Sequence, residues 1–212
     1  MGLIKSVSDS DQEILTAILS LHIKSDRFDL DPCFSRGKIY EGMNEPRLKF
    51  DYAMIPERKD VRQADVRTLL EILTSKERSQ IRSICFDPPF MFGVHGKTYA
   101  NKMNRRFTMF QDFGQLEDMY KSALSIFFEL LPIDGILAFK CQDYTDTKTI
   151  MTHCFVWEWA TQVGFYPKDL FIKIATGGRI YNPKLIQRHS RKYHCYWWVF
   201  EKCRKEVCNG SK

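Results

Sequence analysis

Apolar residues recur at helical spacing along residues 8–24, where Ile14, Leu15, Ile18, Leu19 and Leu21 follow a Ser/Asp cluster, and this predicts a capped amphipathic helix. The period then shortens. Residues 27–31 read as a short strand entering a turn from Pro32 to Gly37, and residues 38–43 as a short helix. Residues 47–51 alternate like a second strand, 61–65 give a weaker third, and 66–73 return to helical spacing through Leu69, Leu70 and Leu73. A fourth, largely apolar strand is expected at 81–86. It precedes a polar, glycine-containing stretch, residues 91–114, which is longer than ordinary connections and is therefore a candidate functional loop.

The most regular helix is predicted at 116–131, with Met119, Ala123, Ile126, Phe127, Leu130 and Leu131 on one side and a stop at Pro132 before the Asp134-Gly135 turn. A fifth strand at 136–140, a helix at 147–163 and strands at 169–174 and 194–200 complete the pattern. Strands alternate with helices through residue 163, and no long helix separates the last two strands. The expectation is an α/β fold with a seven-stranded, mostly parallel sheet and an antiparallel C-terminal hairpin. Residues 1–212 are read as one domain, with an N-terminal helical segment (1–25), the 91–114 insertion, a basic loop (175–193) and a basic tail (203–212).

Ligands of such sheets bind beyond the carboxyl ends of the strands, where the strand order reverses. Asp31, Asp51, Asp65 and Asp87 all fall at predicted strand ends. Each alone reads equally as a turn residue or helix cap, but four at consecutive strands suggest one acid-tipped edge. Asp87 also opens the run Asp87, Pro88, Pro89, Phe90. The prolines fix their own φ angles and lack backbone donors, so the loop is rigid and rich in acceptors. Its carboxylate and the Pro88 carbonyl can accept both protons of one NH2 group and leave the nitrogen lone pair facing an electrophile, while Phe90 stacks on the attached ring.

Composition narrows the setting. The 44% hydrophobic and 27% charged residues are ordinary for a globular chain, no segment has the apolar length of a membrane helix, and the first residues resemble no signal peptide. Seven scattered cysteines without a CxxC pair suggest reduced thiols and a cytoplasmic protein. Cys195, Cys203 and Cys208 with His189 and His194 match no common zinc spacing, so no metal is expected. The formal net charge of +6 is modest. Its clusters are more informative: Lys97, Lys102, Arg105 and Arg106 in the insertion, and Arg179, Arg188, Arg191 and Lys192 in the basic loop, are candidate phosphate contacts. Interleaved Tyr99, Asn101, Asn104, Phe107, Tyr181, Asn182 and Gln187 suit bases, whereas solvated surface is the plain alternative. His95 and His189 are read as loop contacts rather than bases, and Trp157, Trp159, Tyr196, Trp197 and Trp198 as core or sheet-face residues. Lys140 and Asp143 either line a pocket or belong to a solvated loop.

The order of these segments resembles the class I S-adenosylmethionine-dependent methyltransferases, with their Rossmann-like fold, over most of residues 26–202. The Asp87 to Phe90 loop looks like the catalytic tetrapeptide of the amino-methylating DNA methyltransferases, and FDLDPCFSRG, GILAFKCQD and RKYHCYWWVFEK are similar to segments of small phage or prophage DNA methylases. The resemblance implies S-adenosylmethionine as cofactor. Asp29, Asp31, Pro32 and the turn through Ser35 to Gly37 would then approach its methionine end, Asp51 its ribose and Asp65 its adenine. The usual glycine-rich turn is replaced by Cys33, Phe34, Ser35 and Arg36 before Gly37. Asp87, Pro88, Pro89 and Phe90 would be catalytic, DNA the expected partner and adenine N6 the expected target. The same chemistry on RNA or a protein side chain, or a noncatalytic subunit binding DNA or a partner, are the alternatives. Sequence reading would fall to residues 91–114, to residues 175–193, or to a partner or second copy.

Overall fold

The computed structural model describes residues 3–93, 108–145, 148–177, 189–190 and 192–204. Strand β1 (Val7–Ser8) leads into helix α1 (Asp11–Ile18), which continues as a π-helical turn (Leu19–Ile23). Then come β2 (Leu30–Asp31), a 3-10 turn (Lys38–Tyr40), β3 (Leu48–Asp51), β4 (Arg62–Gln63) and a second 3-10 turn (Val66–Thr68) running into α2 (Leu69–Ile72). They are followed by α3 (Ser75–Arg78), β5 (Ser83–Phe86), β6 (Met91–Phe92), β7 (Thr108–Phe110), α4 (Phe113–Leu130) and β8 (Ile136–Cys141). The chain closes with β9 (Tyr144–Thr145), β10 (Thr149–Ile150), α5 (Thr152–Val163), β11 (Phe165–Ile174) and β12 (His194–Lys202).

The main sheet has eight strands in the order β1-β11-β12-β8-β5-β2-β3-β4. Pairings around β2, β3, β4, β5 and β8 are parallel, and β12 alone runs against the others, pairing antiparallel with β8 and β11. This is the expected mostly parallel sheet with its antiparallel hairpin. The eighth strand, β1, extends the predicted seven by pairing parallel with β11 through Val7 and Ser8. A two-residue strand carries too little alternation to be read from sequence.

Period-two alternation distributes the sheet's side chains between two cores. Ile84, Phe86, Leu137, Phe139 and Phe200 face the layer of α2, α4 and α5. Cys85, Ala138, Trp197 and Val199 face α1, whose Ile14, Leu15 and Ile18 are completely or almost completely buried. By the same alternation, Lys140 and Asp87 turn toward α1. Trp159 and Trp197 are buried as expected, whereas Trp157 is 46% exposed because it lies on the outer side of α5.

The sheet reverses its order at β2: β3 and β4 lie to one side, β5 and β8 to the other. The carboxyl ends of β2 and β5 therefore flank a crevice, and the segments leaving them form the candidate site.

Candidate active site

Asp31 ends β2 and is fully buried. Its carboxylate accepts the Tyr40 hydroxyl at 2.7 Å and the Cys33 backbone N–H at 2.8 Å, so it shapes the turn from beneath. Burial pushes its carboxyl up to about 8, outweighing those two hydrogen bonds. Pro32 is buried, and Ser35 is exposed at the tip. Ser35 (φ +52°) and Gly37 (φ +70°) are both left-handed, so the turn keeps a glycine-like path although one such position is serine. A Cβ on Gly37 would lie 2.4 Å from the Phe34 ring, which closes the turn from within.

Asp51, at the end of β3, accepts the Ser35 N–H at 2.8 Å and the Ala53 N–H at 2.9 Å, and so ties the first turn to the second. Asp65 lies two residues beyond β4. It caps the following 3-10 turn by accepting the Arg67 N–H at 2.9 Å, and it pairs with the Arg67 guanidinium, which holds its carboxyl below the usual range. Asp29 is set apart from these acids. It accepts the N–H groups of Arg82 and Ser83 at 2.9 and 3.0 Å, clamping the start of β5 at the opposite edge of the sheet.

Asp87 follows β5 directly, and its side chain retains 21% of its surface. Its Oδ2 accepts Lys140 Nζ at 3.2 Å. Burial raises the Asp87 carboxyl, while Lys140 works in the opposite direction. Lys140, at 9% side-chain exposure, also lies 3.1 Å from Asp11 and over the Trp197 ring at 5.1 Å. Burial disfavours its charge, but Asp87 and Asp11 overcome that and raise its ammonium. Lys140 and Asp143 are both buried, and this excludes the solvated-loop reading of either.

The rest of the tetrapeptide is held from the other core. Tyr120 on α4 donates its hydroxyl to the Pro89 carbonyl at 3.0 Å; Pro88 is buried, and Phe90 is partly exposed. Phe92 follows on β6 and packs 4.1 Å from Tyr144 and 5.7 Å from Phe113, while Gly93 N–H bonds to the Phe110 carbonyl across β6 and β7. Asp143 accepts from His153 at 2.7 Å, and His153 stacks on Tyr196 at 4.1 Å.

Sequence reasoning missed Tyr120 and Asp11. Tyr120 sits within the apolar stripe of α4 and was indistinguishable from core; Asp11 read as part of a helix-start cluster. Of the expected nucleic-acid contacts, Lys192 is half-buried; Lys97, Lys102, Arg105, Arg106, Arg179, Arg188 and Arg191 lie outside the described residues. Among the described residues, no group of three His, Cys, Asp or Glu side chains is arranged to hold a metal, and no helix is long and apolar enough to cross a membrane.

Comparison with solved structures places the fold. An S-adenosylmethionine-dependent methyltransferase from Clostridium acetobutylicum superposes with a TM-score of 0.50 at 9% identity, covering 91% of each chain. The 1,6-didemethyltoxoflavin-N1-methyltransferase of Burkholderia thailandensis, solved with its substrate and S-adenosylhomocysteine, gives 0.50 at 16% identity over 93% of this chain and 80% of that one. A Thermus thermophilus protein provisionally described as a DNA modification methylase gives 0.44 at 14% identity over 66% of this chain. The present chain spans about half (51%) of that protein's length. No protein-family model and no curated protein matches the chain. The fold is that of the class I methyltransferases.

Proposed function

We propose that this chain is an S-adenosylmethionine-dependent methyltransferase acting on the exocyclic amino group of a nucleobase, adenine N6 in DNA. The observation that carries the proposal is the acceptor loop: Asp87 leaves β5 beside the order reversal, partly exposed, with one oxygen fixed by Lys140 and the Pro89 carbonyl fixed by Tyr120. The loop is thereby held from both sides, and among the described residues no donor bonds the Pro88 carbonyl or the second Asp87 oxygen, the two acceptors assigned to the substrate.

The residues at the edge fit the cofactor. Its ribose hydroxyls and adenine amine need acceptors, which Asp51 and Asp65 provide, and its methionine end needs a close backbone turn, which Ser35 and Gly37 provide with Asp31 and Pro32 beneath. When bound, the cofactor supplies a methyl group on a positively charged sulfur, an electrophile strong enough for a poorly nucleophilic conjugated amine. Asp29 contributes by fixing β2 against β5.

A duplex hides adenine N6 within the stack, so the base is flipped out before reaction. Asp87 and the Pro88 carbonyl then accept its two N–H protons, and Phe90 stacks on its face. This orients the nitrogen lone pair; after transfer the nitrogen is strongly acidic and loses a proton to Asp87 or water. The basic residues of the insertion and basic loop, with Lys192, would hold the DNA backbone.

The test is nucleoside mass spectrometry after incubating the protein with labelled cofactor and DNA or RNA. N6-methyladenosine in its deoxy form is expected, and Asp87→Ala should lower its formation by about 10²- to 10³-fold or more while cofactor binding by calorimetry is retained. Label in RNA alone, or in cytosine, would redirect the substrate assignment; parental transfer by Asp87→Ala would refute the role of the loop.

A further inference from the structure

The buried charges under the acceptor loop form a chain through two elements remote in sequence. Lys140 on β8 lies 3.2 Å from Asp87 Oδ2 and 3.1 Å from Asp11 Oδ1. The same Asp11 oxygen accepts the Trp197 indole N–H at 3.0 Å, and its other oxygen lies 3.7 Å from Lys173 on β11. Asp11 stands in the first turn of α1, so the N-terminal helix reaches the acceptor loop through one lysine.

Building on the methyltransferase reading, we infer that Lys140 is a positioning residue of the acceptor site, turning Asp87 Oδ2 inward and leaving Oδ1 as the oxygen that receives the substrate amine. Among the described residues no donor hydrogen-bonds Oδ1, whereas Oδ2 is taken. A lysine suits the task because a compact ammonium shares its donors between two carboxylates, and the Trp197 face beneath it excludes water from its other side.

The ammonium has a second consequence. A protonated carboxylic acid surrenders one acceptor position to its own hydrogen, so Asp87 must be ionised to take up an amine. Burial opposes ionisation, and so does the negative charge of Asp11; Lys140, then Lys173, favour it, while the nearby Asp31, pushed up to about 8 by its own burial, keeps its proton at neutral pH. Among the described residues the other titratable neighbours are Cys33 in the turn after β2, Cys85 on β5, Cys195 on β12 and Tyr120 on α4, and burial holds all four in their neutral forms. Lys140 is therefore the group whose removal should most directly return Asp87 to its neutral form.

Asp87 titration is read by carboxyl carbon-13 resonance in the parent, Lys140→Met and Asp11→Asn, alongside single-turnover transfer rates across pH. Lys140→Met should move the Asp87 titration upward, and its rate should fall about tenfold for each pH unit below the new midpoint while recovering in alkali. Asp11→Asn should move the titration the opposite way, since a negative neighbour is lost and Lys140 turns wholly to Asp87. That second variant decides the matter if Lys140→Met fails to fold. An unmoved Asp87 titration, or a rate lost equally at every pH, overturns the inference. Failure of the methyltransferase reading is separately visible as a parent that transfers no methyl group at any pH although its Asp87 still answers to Lys140.

Discussion

Asp31 shows how one side chain can couple the site to stability. Its carboxyl is pushed up to about 8 in the folded protein, whereas an unfolded chain would release that proton in the ordinary carboxylate range. Between those limits the folded state binds the extra proton, so its stability falls as pH rises; below and above the window the contribution is flat. The decline is up to about 1.4 kcal/mol for each pH unit within the window. Asp31→Asn cannot titrate, and its denaturant-unfolding free energy should lose that share of the slope between about pH 4 and pH 8. Asp87 shifts in the same direction, so the parent-minus-variant difference is the measurement, and equal slopes would reject the assignment. Identity and strand-end position of Asp31 were legible in the sequence; its complete burial was not. Burial comes from Tyr40, nine residues later, closing over it, a contact that no local period announces.

The turn between β2 and the Lys38–Tyr40 segment is the element on which the cofactor proposal rests. Gly37 has φ +70°, and the Phe34 ring, stacked 5.6 Å from Tyr40, occupies the space a Cβ would need. Gly37→Ala should therefore cost about 1–3 kcal/mol by chemical denaturation and weaken cofactor binding, since strain and overpacking act together. Ser35→Gly, at the neighbouring left-handed position, should leave stability equal or slightly improved; a loss as large as that of Gly37→Ala would mean that Ser35 is held by its side chain rather than its backbone. Elements with long periodicity were readable: the 116–131 prediction became α4, Phe113–Leu130, and 194–200 became β12, His194–Lys202. Short ones shifted. The helix expected from 147 begins at Thr152 because Thr149 and Ile150 pair back on Thr145 and Tyr144, and the strand expected over 27–31 is reduced to Leu30–Asp31. In the first case a short hairpin pairing displaces the start of the helix. α3 went unread because its signal is a capping box, Thr74 with Glu77, rather than an apolar stripe.

At the scale of the whole molecule, the proposal sets an acid-lined edge inside a chain of net charge +6, and the two demand different partners. Acids at Asp51 and Asp65 repel a phosphate backbone, so a polyanion must be held by the basic segments while a single base enters the crevice. DNA affinity should then fall linearly with the logarithm of salt concentration as phosphate contacts release counterions. Lys192, the member of the basic set that falls among the described residues, is half-buried just before β12. If it meets a phosphate, Lys192→Ala lowers the salt slope by about 1 and weakens binding alike for all sequences. Asp87→Ala, acting only on the flipped base, should bind with the parental slope while losing transfer. Fluorescence anisotropy of both variants over a salt series separates these effects: an affinity indifferent to salt would remove DNA as the partner, and a changed slope in Asp87→Ala would mean that the acceptor loop touches the backbone instead of the base.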